Sequence, residues 1–386
     1  MVIWCACILK TIENGWRMKK KIKCLMLVPN LRVSNGVTSY AMNYFRAIDH
    51  NRIEMDFCLL DDIESPFYDE IRRYGGKIFI LPSLRRIGAH LSKCYEIVKN
   101  GKYDIIHDNS LLKTIPIMKI ASKFIPVRIL HSHNSRLGET IIKEKRNACL
   151  LPILRKQANA YASCSDMAAK AMFGDSEYEF IPNIVDPEAY HFDLDVRIST
   201  RIKMDTEDRI VIGTVGRLAP QKNPFFALGV FDKLAEKEPK VEYWWIGSGP
   251  LDQEVAEYVN KLNHSDRVKL LGSRTDIISL YQAIDVFFLP SFFEGLPVTG
   301  IEAQAMGIPC AISAEVTKEV AFTDLVAFVP LKASIETWVK ALEEQIRRIP
   351  ERCSYTRELE NSVFSSANAG ERLENYYRKL LNEVTF

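Results

Sequence analysis

The stretch Asp285-Val-Phe-Phe-Leu-Pro-Ser-Phe-Phe-Glu-Gly-Leu-Pro-Val-Thr-Gly-Ile-Glu-Ala-Gln-Ala-Met-Gly-Ile-Pro309 reads as one strand–turn–helix unit. A continuous apolar run, Val286–Leu289, is the length of a buried strand and stops at Pro290. The turn after it carries Ser291, Glu294 and Gly295. A helix then starts near Pro297, a residue suited to the first helical position. It ends near Met306, with Gly307 as its left-handed stop and Pro309 just beyond. The N–H groups of Gly295 and Leu296 lie at the positive end of the helix dipole, where an anion is favoured. Glu294 precedes the helix and Glu302 lies inside it, and carboxylate oxygens on either side of an anion site suit sugar hydroxyls as donors. A capping acid plus an exposed helical Glu is the bland reading. It leaves unexplained why Gly, Pro and both acids coincide at a strand's carboxyl end.

Working outward, strand-like runs alternate with amphipathic segments along the whole chain. In the first half, strands are expected at Cys24–Val28, Met55–Leu60, Lys77–Leu81, Asp104–His107, Val127–His131 and Ala160–Cys164. Ser165 is a candidate N-cap for a helix over Asp166–Phe173. The pattern restarts at Ile210–Thr214 and continues through Glu242–Ile246, Val268–Leu271, Val286–Leu289 and Cys310–Ser313. Such alternation predicts α/β architecture, with two parallel-sheet Rossmann-like units facing across a cleft. The expected boundaries are residues 18–190 for an acceptor-side domain, 205–365 for a donor-side domain and 366–386 for a C-terminal helix. The segment Asn183–Glu207 lacks clear periodicity and is expected to be the junction. Its Asp193–Asp195 pair is read as solvated charge rather than a metal motif.

A second stretch carries cations. In Ile210-Val-Ile-Gly-Thr-Val-Gly-Arg-Leu-Ala-Pro-Gln-Lys-Asn-Pro224 a β-branched strand runs into Gly213 and Gly216. Arg217 and Lys222 come next, with Asn223 as a candidate N-cap and Pro224 opening a helix. Two cations beside a helix N-terminus suit a pyrophosphate, with a solvated basic loop as the bland alternative. The later Gly247-Ser-Gly249 lacks the third glycine of a dinucleotide fingerprint, so it is read as a tight turn and speaks against a nicotinamide enzyme.

Composition sets the limits. The 386 residues are 47% hydrophobic and 26% charged, with a net charge of +2, as expected of a globular chain and not of a disordered one. No apolar run approaches the ~20 residues that span a bilayer. Residues 1–190 hold 28 Lys and Arg against 20 Asp and Glu, while the rest holds 23 against 29, so the surplus of eight positive charges faces a deficit of six. A basic half suits an anionic partner, whether acidic lipid, an anionic acceptor or nucleic acid. Nine cysteines, an odd number in no zinc-like spacing, point to reduced thiols and a cytoplasmic home. Residues 1–17 do not resemble the rest of the chain, and Met18 opens a basic lead-in to the first strand. We read Met18 as the native start and residues 1–17 as an upstream extension.

Arg217, Lys222, Leu289-Pro-Ser291 and Glu294-Gly-Leu-Pro297 with Glu302 resemble the retaining nucleotide-sugar glycosyltransferases of family four, which have the GT-B fold. The first half is similar more loosely, through Asn35-Gly-Val37, Asp104-Ile-Ile-His107, His131-Ser-His-Asn134 and Ile181-Pro-Asn183. Members that build bacterial capsules and exopolysaccharides look closest, in Leu130–Arg136 and Glu315–Glu319. The chain departs from the family in having one glycine where a pair is usual at Gly36, no paired glycines before Glu319, and Ile184 where glycine is usual.

The resemblance implies a nucleoside-diphosphate sugar as donor, a glycan or lipid-linked acceptor, no nucleic acid partner, no cofactor and no metal. It implies that Arg217 and Lys222 neutralise the diphosphate, that Gly295 and Leu296 donate to phosphate, that Glu302 binds ribose and that Glu294 meets the donor sugar. Gly36 and Gly216 would let loops approach the donor, Ser291 would line it, and the Gly272-Ser-Arg274 loop would read the base. His131 and His133 alternate on one strand face, and the family places a histidine near the donor sugar. His133, nearer the loop, is the first choice and His131 the second. The catalytic set is therefore His133, Glu294, Arg217 and Lys222. Two alternatives share these features: a non-hydrolysing sugar-nucleotide epimerase of the same fold, and a silent nucleotide-binding subunit. Leu111–Arg128 and Ile141–Lys156 mix apolar residues with Lys and Arg, as a helix on an anionic membrane surface would. Pro116 and Pro152 are expected to interrupt any long helix there.

Overall fold

The computed structural model describes residues 21–33, 35–138 and 140–384. The proposed start at Met18 and the extension 1–17 lie outside the described residues.

Two parallel sheets organise the chain. The first holds β1 (Ile22–Val28), β2 (Ile53–Leu59), β3 (Ile78–Ile80), β4 (Ile105–Asp108), β5 (Val127–Ser132), β6 (Ala160–Ser163) and β7 (Glu179–Phe180), in the order β3-β2-β1-β4-β5-β6-β7. The second holds β8 (Ile210–Val215), β9 (Val241–Ile246), β10 (Val268–Gly272), β11 (Val286–Leu289), β12 (Cys310–Ser313) and β13 (Val326–Val329), in the order β10-β9-β8-β11-β12-β13. Every strand pair is parallel, so the central strands are covered on both faces and are mostly apolar.

In both sheets the order reverses between two central strands, β1 and β4 in the first and β8 and β11 in the second. At such a reversal the connecting helices leave on opposite faces and a crevice opens at the carboxyl ends. The residues just past these strands are Pro29–Asn35, Asn109, Gly216 and Pro290–Ser291.

The helices Gly36–Ala47 and Ala369–Glu383 cover one face of the first sheet. The helices Ile87–Gly101, Ile115–Ala121 and Ile141–Arg155 cover the other. Ala369–Glu383 is the predicted C-terminal helix, and it returns to the first sheet, where Leu373, Tyr376 and Tyr377 join the core around Tyr40, Tyr44 and Phe45. The two lobes also share an apolar cluster in which Cys164, Ala168 and Val185 meet Leu296, Val298 and Ile301.

Two expectations are corrected. The junction contains the helix Leu194–Lys203, and Asp193 is its N-cap, accepting from the N–H groups of Asp195 and Val196. Arg197 and Arg201 of that helix pair with the buried Asp285 and tie it to the second sheet. Pro152 does not break its helix, since Ile141–Arg155 runs through it near the C-terminal end. As expected, Leu111–Arg128 is no single helix: it divides into a 3-10 turn, a two-turn helix and the start of β5.

Candidate functional site

The loops after β8, β9 and β10 stack backbone on backbone. The Trp245 indole N–H donates to the Gly216 carbonyl at 3.0 Å, and the Gly247 N–H donates to the Gly272 carbonyl at 2.8 Å. A Cβ on Gly247 would sit 2.2 Å from that Gly216 oxygen, and the residue's φ is +135°. The Gly247–Gly249 turn therefore serves close approach of chains.

Gly216 has a second role. A Cβ there would lie 2.9 Å from Cε of Lys222, so the missing side chain is the channel along which Lys222 runs. Its Nζ reaches Glu294 Oε1 at 2.8 Å, and both side chains are largely buried. Gln221 donates to the other oxygen of Glu294 at 3.1 Å and to the Phe293 carbonyl at 2.9 Å. Phe292 N–H returns a bond to the Gln221 carbonyl. The β8 and β11 loops are thus cross-linked at the switch point.

Asn223 precedes the helix Pro224–Ala235 but adopts a left-handed conformation and does not cap it by its side chain. Its amide instead donates to the Pro290 carbonyl at 3.3 Å. Ser291 is fully buried beside this contact, with its hydroxyl unpartnered.

The helix Val298–Ala305 starts where the sequence places it. The Gly295 N–H donates to no backbone acceptor among the described residues, and that of Leu296 faces the weakly accepting Cys164 thiol. Their carbonyls are taken. Ser165 Oγ donates to Gly295 O at 3.0 Å, and Asn183 Nδ2 donates to Leu296 O at 2.6 Å. Both donors belong to the first lobe. Glu319 closes the same junction from the other side, accepting from the Asp166 N–H at 3.0 Å.

Glu302 accepts from the Tyr281 hydroxyl at 2.8 Å, and Tyr190 bonds it too. Burial raises its pKa, which these hydrogen bonds partly offset. Arg217 is exposed, one residue past Gly216 on the β8 loop. Arg274 is held by Asp276 through two hydrogen bonds of 2.8 and 2.6 Å. Gly36 opens its helix behind the Asn35 cap, with nothing within 4 Å of an added Cβ.

Across the junction, Gly295 packs on the peptide of His133: a Cβ at Gly295 would lie 2.0 Å from the His133 carbonyl oxygen. His133 comes directly after β5 and stacks on His131, with ring centroids 4.0 Å apart. Tyr40 packs against both rings. His131 is the inner of the two, 2% exposed, and His133 the outer, half-buried one.

Beneath them runs a buried hydrogen-bonded chain. Cys24 Sγ lies on the Tyr377 hydroxyl, which is 2.8 Å from His107 Nδ1, and His107 Nε2 is 3.0 Å from His131 Nδ1. The far nitrogen of His131, Nε2, is buried and makes no hydrogen bond among the described residues. Burial pushes His107 and His133 down to about 3 and His131 well below its ordinary value, so the cluster is neutral.

The structure therefore gathers Gly216, Lys222, Glu294 and Gly295 on one side and His133 across the junction. Sequence reasoning passed over Gln221, Asn109, Tyr40, Tyr190 and Tyr281. Asn109 carried the one available signal, its place just after the strand that ends in His107 and Asp108. Among the described residues no three His, Cys, Asp or Glu side chains group to hold a metal ion.

Two facing parallel sheets with an anion-ready helix N-terminus at their junction define a two-lobed GT-B transferase. The family described as Glycosyl transferases group 1 matches residues 197–357. The Bacillus subtilis glycosyltransferase EpsF is 30% identical over 322 residues, spanning 80% of this chain and 83% of that one. An Escherichia coli UDP-Gal:alpha-D-GlcNAc-diphosphoundecaprenol alpha-1,3-galactosyltransferase is 27% identical over 313 residues, 76% of this chain and 79% of that one. Among solved structures, Anabaena HepE in complex with UDP and glucose superposes with a TM-score of 0.75 at 16% identity, covering 93% of this chain and 100% of that one. The chain belongs to the group 1 glycosyltransferases and is an enzyme of that class.

Proposed function

We propose that this enzyme moves a sugar, with retention of anomeric configuration, from a nucleoside-diphosphate sugar to a lipid-linked glycan in exopolysaccharide or other cell-surface polysaccharide synthesis. The observation that carries the reading is the Lys222–Glu294 pair beside the N–H groups of Gly295 and Leu296, opposite His133. Departure of a nucleoside diphosphate develops negative charge on phosphate oxygens. Preorganised donors and a cation aimed at that charge lower the barrier. Lys222, Arg217 and the helix N-terminus would supply them without a metal, so activity is expected to survive a chelator. The relatives' names support the substrate classes: EpsF and the lipid-linked galactosyltransferase are named as glycosyltransferases, the second with a diphosphoundecaprenol acceptor.

A thermal-shift panel of nucleotide sugars, then mass spectrometry of products on lipid-linked acceptors, tests this. One sugar added, with the anomeric proton of the donor's configuration, is the expected result. Epimerised donor without acceptor, or donor binding without transfer, would defeat the reading.

The first lobe carries the acceptor in this reading, and its outer helices suit a membrane surface. Ile141 and Ile142 are 75% and 82% exposed, and Ile87, Tyr95, Phe124 and Ile153 are exposed on the same helical layer. Lys119, Lys123, Lys145 and Arg146 are exposed among them. Each Lys or Arg near an anionic leaflet contributes about 1 kcal/mol. Flotation with acidic liposomes should occur at low salt and weaken at high salt; equal failure on acidic and neutral liposomes would remove the membrane role. No described helix is long and apolar enough to cross a membrane.

A further inference from the structure

His133 is enclosed on three sides. Its faces meet His131 and Tyr40, and its Nε2 lies 2.7 Å from Asn109 Oδ1. Asn109 is 5% exposed, at the carboxyl end of β4. Its amide nitrogen lies 3.2 Å from two carbonyl oxygens, those of Leu27 and His107. A carbonyl can only accept, so the –NH2 group must face them and the amide oxygen must face His133. That oxygen also only accepts. The proton of neutral His133 is therefore on Nε2, and Nδ1 is left as a bare acceptor with no partner among the described residues. The orientation is fixed by two backbone groups of adjacent strands, β1 and β4, whose pairing places Leu27 opposite Asp108.

We infer that Asn109 is a positioning residue that holds His133 as the Nε2–H tautomer, so that Nδ1 accepts a hydrogen bond from a hydroxyl of the donor sugar. This rests on the reading of the junction as a sugar-nucleotide site. The hydroxyl is assigned to the donor sugar because the backbone touching His133 is that of Gly295, next to Glu294 on the donor loop. A neutral ring with a single free lone pair favours a hydroxyl donor over an anionic oxygen, which it would repel. The site thereby divides its work, with diphosphate met by N–H groups and Lys222 and the sugar met by an acceptor.

Nitrogen-15 spectra of histidine-labelled full-length protein separate protonated from bare ring nitrogens, and need no ligand. The His133 signals, identified by their loss in His133→Gln, should show a bare Nδ1 and a protonated Nε2. In Asn109→Leu the two tautomers should mix, and kcat/KM should fall roughly tenfold, the worth of one lost orienting hydrogen bond. A wild-type ring protonated on Nδ1 overturns the inference. A second pair of variants does not depend on Asn109→Leu folding. His133→Asn places an amide oxygen near the Nδ1 position, while His133→Gln reaches the Nε2 position. Binding of UDP-glucose and UDP-galactose, each measured against UDP by calorimetry, should show the sugar's contribution kept better in His133→Asn. Equal or reversed ranking overturns the role of Nδ1. Failure of the wild type to bind any nucleotide sugar of the panel would instead refute the donor reading, with the tautomer result still standing.

Discussion

Replacing Gly295 by alanine tests the junction at its tightest point. The added Cβ would stand 2.0 Å from the His133 carbonyl oxygen and 2.7 Å from its carbon. Ordinary contact begins near 3.4 Å, so the two backbones must part by about 1.4 Å. Neither is a flexible side-chain end, so the lobes or the donor loop must move. An opening of that size stretches the Ser165–Gly295 hydrogen bond from 3.0 Å to a length at which it no longer holds. The neighbouring Asn183–Leu296 bond is lost or strained with it. Two such bonds are together worth about 1–3 kcal/mol. The larger effect is on catalysis, because Glu294 and His133 are drawn apart, and a misplacement of roughly 1 Å can cost about a hundredfold. Gly88→Ala is the control, since nothing lies within 4 Å of a Cβ there. Steady-state kinetics on the identified donor, with melting curves for both variants, decides the matter. Wild-type kcat and an unchanged Tm in Gly295→Ala would refute the reasoning.

Lys222→Ala should depress kcat about a hundredfold and KM far less, as expected for a cation that acts on developing charge; near-normal kinetics would remove it from the donor site. Tyr281→Phe removes a hydrogen bond that lowers the pKa of Glu302, so the protonated fraction rises and the donor KM should increase severalfold toward acid pH; a KM unchanged across about pH 5–8 would count against Glu302 as a ribose ligand. The buried histidines make stability acid-sensitive. His107 and His133 titrate near 3 when folded but near their ordinary 6.5 when unfolded, so the unfolded chain binds more protons below pH 6.5. Each then withdraws up to about 1.4 kcal/mol per pH unit as pH falls from about 6.5 toward 3. Burial raises Asp108 to about 7, which acts in the opposite sense and offsets one of them. Denaturant midpoints should be flat above about pH 7 and decline below about 6.5, and a midpoint constant down to about pH 4.5 would show that the cluster is not neutral.

The sheets were legible because a strand buried on both faces is a plain apolar run, as Val286–Leu289 and Ile210–Val215 are. Leu194–Lys203 was not legible, for a specific reason. Leu194, Ile198 and Ile202 are spaced as an apolar stripe, yet all three are half or more exposed. The buried side is polar, with Arg201 at 7% exposure bound to Asp285 and to backbone carbonyls. A helix that turns a guanidinium inward inverts the pattern by which helices are recognised. On the site, glycine and charge spacing pointed to Gly216, Lys222 and Glu294, whose partners lie within one lobe's loops, and to Gly295, whose partners His133 and Ser165 lie in the other. The pairing of Arg274 with Asp276 was not legible, because Asp276 is two residues away and looks like an ordinary helix start. His131 and His133 were legible as a pair on one strand face, but their link to Tyr377 was not, since Tyr377 meets His107 across 270 positions.

The helix Ala369–Glu383 has a consequence for how the protein is made. Its Tyr377 touches Cys24, a partner 353 residues earlier, and its apolar side completes the core over β1. At roughly 5–20 residues per second, the first strand waits about 20–70 s on the ribosome for that cover. During that time Tyr40, Tyr44 and the buried histidines have no lid. The lobe that begins the chain is thus finished after its downstream neighbour. A nascent chain halted before Ala369 should present a sticky, half-built first lobe beside a second lobe already closed.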